Sequence, residues 1–582
     1  MSLLDALQRS GVLRPVDLAL AQALQRIDGD IADSALAAAA LASHAVAQGH
    51  AAFDPAAAGE LVDASIDWPD AAEWRATLAA CSMVDRPDAD AASDESTPLV
   101  LEDGRVYLRR YREYERRLAA ALARLCVATD GAPHADVDAL HARLFPAGEG
   151  DDAQARAARR ALDSTVMLVT GGPGTGKTTT IARLLVLLAA QARARGKPVP
   201  RFALAAPTGR AADRMAGGVR RVAESLRAAG IDAELCDALP TQASTLHRLL
   251  GLVPGRPQAR FDRVQPLKVD VLVVDEASMV DLPLMCKLVE ALPDGARLLL
   301  LGDRDQLPSV EAGDVLAALV DACDAPAAAN APLAGRRVHL DRGYRQTDDL
   351  VLEPVADAVR RGDAAAALSA LRVGGGGLHY HEDALDPLAA STREALLAPW
   401  RGLRHCSEPR EALALVNRAR LLTALRDGPQ GASQLNARIE LALAGTQREP
   451  YFHGRLLMVT ENSARHGLFN GDVGVCLPDV HGAPIAWFDG PDAPRAFHPG
   501  ALPAHSGAFA TTVHKAQGSE FDIVLLQLPA ADTRVLTREL IYTGLTRART
   551  QLHVLGPASA IEAALGRHAR RISGLARRLG AA

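Results

Sequence analysis

The chain has 582 residues, 48% of them hydrophobic, with 64 basic and 70 acidic side chains and a formal net charge of −6. That length exceeds what one core supports and implies several domains, while the slightly acidic balance excludes a uniformly basic nucleic-acid coat, so any grip on phosphates must be a local groove. The 7 cysteines show neither CxxC pairs nor His/Cys metal spacing, which excludes a disulfide scaffold or zinc module and suits reduced thiols in the cytoplasm.

The opening "MSLLDALQRSGVLRP" lacks the basic start and clean apolar core of a signal peptide. The run "IADSALAAAALASHAVAQGHAAF" is alanine interrupted by His44, Gln48 and His50, a soluble helix rather than a membrane span. Residues 1 to about 110 read as short helices broken by "DPAAAGE", "DWPDAAEW" and "DRPDADAASDEST", without visible chemistry. "YLRRYREYERRLAAALARLC" then reads as a linker helix with a solvated charged face, within a linker region 111–149. From 150 to 345 the runs "TVMLVT", "FALAAPT", "VDVLVVDE" and "ARLLLLGD" alternate with helical stretches, as in a parallel sheet covered on both faces. A second αβ segment, 346–582, has strand candidates "ALALV", "FATTVH", "DIVLLQLP" and "LHVLG". Within it, about 430–505, short strands with turns at Asn470-Gly471 and His481-Gly482 predict a small β insertion. The fold class is therefore α/β: two parallel-sheet domains, a helical N-terminal domain and a β insertion in the second sheet domain.

The stretch Gly171, Gly172, Pro173, Gly174, Thr175, Gly176, Lys177, Thr178, followed by Thr179, fits G-x-x-x-x-G-K-[ST] between a strand and a helix. Its glycines let backbone N–H groups converge on phosphate oxygens at a helix N-terminus. Lys177 is placed to reach the β and γ phosphates and the Thr178 hydroxyl to coordinate Mg²⁺. "VLVVDEAS" ends a buried strand in Asp275-Glu276: the aspartate suits Mg²⁺ held through water, the glutamate a base for attacking water. A kinase needs no such water base, so the pair favours hydrolysis. Further polar residues end strands: Thr208 and Arg210 in "APTGRAADRM", Gln306 in "LGDRDQLPSVEAGDVL" as a γ-phosphate sensor, and Arg345 in "LDRGYRQ". Lys515, Gln517 and Glu520 follow in "TTVHKAQGSEFD", and Arg547 in "YTGLTRAR".

In this order, with "TLHRLLG" and "LFNGDVGV" between them, these stretches resemble the superfamily 1 helicases, and within them the RecD family, the alpha subunits of RecBCD exonuclease V. "GVLRPVDLALAQAL" and the alanine-rich run after it are similar to that family's subunit-docking domain. The resemblance implies two RecA-like domains around ATP, 5′ to 3′ movement on DNA, and work in double-strand break repair, recombination and DNA degradation. It implies a heterotrimer with RecB- and RecC-like subunits acting on single-stranded and duplex-end DNA, with no membrane. Gln154 matches the glutamine that reads adenine, and Tyr344 an adenine-stacking neighbour. Asp275 and Glu276 match the metal and water-activating pair, and Gln306 the γ-phosphate sensor. Arg345 and Arg547 match arginines that reach across the cleft, a class of contact worth on the order of 10³–10⁵ in rate. Thr208, His247, Asn470, Thr512, His514 and Lys515 fall in stretches that line the single-strand track. The stretch "LVPGRPQARFDRVQPLK" leaves room only for a small strand-splitting hairpin near 251–266, and no nuclease constellation is visible. Three alternatives remain: a stand-alone RecD-like helicase, a nucleotide-binding structural subunit without turnover, and a P-loop ATPase acting on RNA or protein. The first carries helix-hairpin-helix repeats that residues 1–110 do not display; the second sits poorly with intact Lys177, Glu276 and Arg547.

Overall fold

Aliphatic runs bounded by polar turns build two parallel sheets in the computed structural model, which describes all residues except 1, 63, 88–95, 127–133, 147–151, 254, 257, 326–330, 342–349, 447–448, 464, 491–492 and 581–582. The first sheet contains β1 (Val166–Gly171), β2 (Phe202–Ala206), β3 (Ser244–Thr245), β4 (Val271–Val274), β5 (Arg297–Gly302) and β6 (Arg337–Leu340), in the order β3-β2-β4-β5-β1-β6, all parallel. Period-2 alternation sends Leu168, Leu272 and Leu298 to one face, against helices Leu282–Glu290 and Val315–Asp324. Val169, Val273 and Leu299 go to the other, against helices Lys177–Ala194 and Gly209–Ala228. Both faces are apolar, as a parallel sheet between helical layers requires.

The second sheet contains β7 (Leu378–Glu382), β8 (Ala419–Thr423), β9 (Ala510–Thr512), β10 (Phe521–Gln527) and β11 (Ala548–Gly556), in the order β7-β11-β10-β8-β9, again parallel. "ALALV", expected as a strand, is instead the end of helix Pro409–Val416. Pro409 opens that helix, and Ala412, Leu413 and Val416 bury one stripe at helical spacing. The strand is the next apolar run, β8. The insertion is a five-stranded antiparallel sheet of Leu456–Val459, Val473–Pro478, Pro484–Phe488, Arg495–Phe497 and His505–Gly507. It begins at Leu456 because helix Ala432–Ala444 packs Leu435 and Ile439 into the core of the second sheet.

The N-terminal region buries helix Asp33–Ala47 almost on all sides, since alanine lets neighbours close in around it. It also carries a small sheet, Val84–Asp85, Leu99–Glu102 and Arg105–Leu108, that the helical reading did not anticipate. The charged face of helix Arg109–Leu125 is not simply solvated. Leu118 and Leu122 enter the core of the first sheet, while Arg112 and Glu115 are fully buried. Arg112 Nε donates to Glu102 at 2.8 Å; Glu115 Oε1 accepts from Ser573 Oγ at 2.7 Å and from the Gly574 amide at 2.9 Å. Ser573 and Gly574 lie far away in the chain, so the amphipathic pattern alone could not expose them. In 251–266 the described residues form no strand: the Arg260 and Phe261 amides donate to the Leu250 carbonyl at 3.0 and 3.2 Å, and Pro266 has no amide to give to a ladder; residues 254 and 257 lie outside the described residues. Among the described residues no helix is long and apolar enough to cross a membrane.

Candidate functional site

The carboxyl ends of the first sheet's strands converge on one edge, where open parallel sheets bind ligands. β1 runs into the glycine-rich loop; Gly174 and Gly176 both take φ of +83°, the left-handed region that glycine enters at no steric cost, and helix Lys177–Ala194 starts at once. Thr175 Oγ1 donates to the Gly172 carbonyl at 2.9 Å, and Lys177 Nζ folds back on the Gly171 and Gly172 carbonyls at 2.6 and 2.9 Å. Thr178 and Thr179 form the first turn of that helix, and Pro173 lies in the loop. Gln154, buried at the start of helix Ala153–Leu162, donates from Nε2 to the Thr175 carbonyl at 3.1 Å and so touches the loop directly.

β4 delivers Asp275 and Glu276 to the same edge. The Glu276 amide donates to Asp275 Oδ1 at 2.8 Å, and Glu276 takes φ of +52°, strained for a non-glycine residue. Burial and the neighbouring Glu276 charge push the Asp275 carboxyl up. For Glu276, burial acts upward too, but Arg214, Arg547 and Lys177 outweigh it and hold the group ionised below the usual range. After β5, buried Gln306 donates from Nε2 to Asp303 Oδ2 at 3.2 Å, and its Oε1 has no hydrogen-bond partner. A left-handed glycine cradle, a lysine, a hydroxyl on the first helical turn, a carboxylate pair and an unsatisfied buried amide together fit a nucleoside triphosphate with a divalent cation.

The second sheet domain closes the other side. Helix Arg538–Leu545 lies against the loop: Tyr542 Oη donates to Asp303 Oδ2 at 3.0 Å and would sit 3.1 Å from a Cβ at position 172, so Gly172 leaves it room. The Leu307 amide donates to Thr543 Oγ1 at 2.8 Å, and Gln517 Nε2 to the Leu307 carbonyl at 2.8 Å. Arg547 is buried, its Nε held by the Thr543 carbonyl at 3.0 Å and its Nη1 by the Ser519 carbonyl at 3.3 Å. Burial lowers its pKa, and Glu276 and Glu520 oppose that without reversing it. Tyr344 and Arg345 lie outside the described residues.

The remaining candidates also follow strand ends. Thr208, after β2, caps helix Gly209–Ala228 by accepting from the Ala211 amide at 3.3 Å, and Arg210 Nη1 donates to Ser519 Oγ at 3.4 Å. His247 is exposed in the helical turn after β3. Thr512 ends β9, with half-buried His514 and exposed Lys515 immediately after it. Asn470 is exposed on a turn of the insertion, its amide donating to Asn462 Oδ1 at 2.9 Å. Two groups at the cleft were not singled out by sequence reasoning. Arg214, within the quoted "APTGRAADRM", ion-pairs with Glu276, and Tyr542, within "YTGLTRAR", reaches Asp303. Their motif membership was the available signal; which side chain points into the cleft was not.

Three family profiles match the chain: the AAA domain over 154–312, the UvrD-like helicase C-terminal domain over 507–555, and the RecBCD enzyme subunit RecD, N-terminal domain, over 9–107. The RecBCD enzyme subunit RecD of Mycobacterium tuberculosis is 40% identical over 99% of this chain and 96% of its own length. That of Mycolicibacterium smegmatis is 39% identical over 100% and 99%. The ATP-dependent RecD2 DNA helicase of Deinococcus radiodurans is 32% identical over 83% of this chain and 61% of its own length. Among solved structures, the Pif1 helicase from Candida albicans is 17% identical, covering 71% of this chain and 97% of that one with a TM-score of 0.37.

Proposed function

This chain belongs to the RecD family of superfamily 1 helicases, and we propose that it is the ATP-hydrolysing, 5′ to 3′ DNA helicase subunit of a RecBCD-type exonuclease V. It works in the cytoplasm with RecB- and RecC-like subunits on DNA ends, in recombinational repair and DNA degradation. The stand-alone helicase reading is disfavoured because that relative is 32% identical over 83% of this chain, against 40% and 39% over 99% and 100% of it for the two RecD subunits.

The observation that carries the reading is the seating of helix Arg538–Leu545, from one sheet domain, against the glycine loop and Asp303 of the other, with buried Arg547 just after it close enough for its charge to act on Glu276. We divide the chain accordingly: a docking domain at 1–110, a connecting segment 111–149, a first RecA-like domain at 150–345, and a second at 346–582 carrying the β insertion. In this reading Gln154 selects adenine, Lys177 and the loop amides hold the phosphates, and Gln306 senses the terminal one. Thr178 and Asp275 would hold Mg²⁺, which supplies charge neutralisation at the phosphates. Glu276, ionised, takes a proton from the attacking water, and Arg547 meets the charge that develops across the cleft. Because Arg547 belongs to the opposite domain, nucleotide state and domain closure are linked. Thr208 and His247 on one domain, with Asn470, Thr512, His514 and Lys515 on the other, then alternate their hold on a single strand. ATP hydrolysis with and without single-stranded DNA, together with unwinding of duplexes bearing 5′ or 3′ tails, tests this. DNA-stimulated hydrolysis and a preference for the 5′ tail support the reading; stimulation by RNA alone, or unwinding from the 3′ tail only, contradicts it.

A further inference from the structure

Arg214 projects from helix Gly209–Ala228 into the cleft, and its guanidinium touches both domains. Nη2 donates to Glu276 Oε1; Nη1 lies 3.5 Å from Glu520 Oε1 on the second domain. Nη1 is buried and makes no hydrogen bond, so its contact with Glu520 is an ion pair left half made. Glu520 is in turn steadied through Oε2, which accepts from Arg549 Nε at 3.2 Å. It follows directly on the segment that holds Thr512, His514 and Lys515, and the intervening Gly518, at φ +73°, packs beside Thr208 Oγ1. One side chain therefore joins the water base of the first domain to the DNA-track loop of the second.

We propose that Arg214 is a positioning residue that gates Glu276 according to the position of the second domain; this deepens the helicase reading and rests on it. A carboxylate oxygen that accepts from a guanidinium is a weaker acceptor for water. In the arrangement described, Arg214 holds Glu276 in reserve. An approach of a few tenths of an ångström by the 513–520 loop brings Nη1 within hydrogen-bond reach of Glu520, draws the guanidinium toward the second domain and frees Oε1 of Glu276 for water. The left-handed backbone of Glu276 is a strained conformation that such a change can relax. Single-stranded DNA seated on Thr512 to Lys515 would move the same loop, so strand engagement and water activation share one lever. The alternative assignment for Arg214, a purely structural brace, predicts equal losses with and without DNA.

Steady-state ATP hydrolysis by the full-length chain, with and without oligo-dT, separates the two. Arg214→Gln is expected to raise the DNA-free kcat about fivefold and to cut the stimulation ratio to below about twofold, with KM for ATP within about threefold of wild type. Glu520→Gln is expected to lower the stimulation ratio through the DNA-bound kcat, and the double variant to match Arg214→Gln alone rather than sum with it. Arg214→Lys, which keeps the charge but not the fork, recovers part of the ratio. Should Arg214→Gln fail to fold, as thermal melting would reveal, Glu520→Gln carries the test. A wild-type stimulation ratio in either single variant, a change confined to KM, or additive effects in the double variant overturns the gate. Wild-type chain with no response to oligo-dT overturns the helicase reading itself, and the gate with it.

Discussion

His50 Nδ1 accepts the Ile572 amide at 2.9 Å, a bond that only a neutral imidazole can make. Burial first, and then the neighbouring Arg571 charge, push its pKa down from 6.5 to about 4. A depressed folded-state pKa means that the unfolded chain takes up the proton first, so this contribution is present above pH 6.5 and is lost as pH falls toward about 4. Hydrogen exchange at the Ile572 amide is therefore expected to accelerate on acidification from pH 7 to about 5 beyond its intrinsic trend, and His50→Ala to abolish that pH dependence. Lys177→Gln is expected to lower hydrolysis at least about 10²-fold while thermal melting stays within a few degrees of wild type; a normal rate in that variant removes the glycine loop from the active site. At this scale the sequence was most legible where chemistry is contiguous. Gly171 to Thr178 and Asp275-Glu276 are local patterns with one mechanical use. Arg214 was hidden because its importance lies in two carboxylates from remote strand ends, as His50 was hidden by a partner at the other end of the chain.

Elements repeat the lesson with packing in place of chemistry. β1, β2, β4 and β5 were legible as aliphatic runs after polar turns, whereas β6 and β7 carry His339, His379 and His381 and do not look apolar. "ALALV" shows the limit of a short apolar run, which serves a helix as well as a strand until its proline start and burial stripe are weighed. Helix Arg109–Leu125 looked like a solvated rod because Arg112 and Glu115 find buried partners in Glu102 and in the tail at 573–574, and Arg117 and Arg124 reach Glu290 and the Val289 and Leu292 carbonyls. Glu115→Ala, which leaves the Ser573 hydroxyl and the Gly574 amide without their acceptor while Arg578 keeps its ion pair with Glu102, is expected to destabilise the chain by about 2 kcal/mol in a denaturant titration; no change would mean that the tail docks by other contacts. Gly218 marks where helix Gly209–Ala228 crosses the glycine-loop helix, for a Cβ there would lie 2.7 Å from Thr178 Cγ2. Gly218→Ala is expected to weaken ATP binding several-fold by displacing Thr178, although alanine favours the helix by about 1 kcal/mol; an unchanged ATP affinity would show that the crossing does not bear on the loop.

Across the whole molecule, the sheets are tied at both ends of the cleft. Tyr542, Thr543 and Gln517 join them beside the glycine loop, and the tail after helix Ala558–Leu565 returns to pair Ile572 with Ala51 at 2.8 Å and Arg571 with the Ser309 carbonyl at 3.4 Å. An α/β chain with two sheets was readable from alternating strands and helices. The return of the tail to the N-terminal region was not, because residues 566–574 carry no period and no motif. In the proposed reading, function at this scale depends on one pocket having walls from both domains, with Arg547 as the wall that the loop cannot supply. The most direct measurement is single-turnover ATP hydrolysis by Arg547→Ala, alongside titration of a fluorescent ATP analogue. Binding within about fivefold of wild type with hydrolysis slowed about 10³-fold is the expected result; hydrolysis at the wild-type rate would contradict a pocket shared across the cleft.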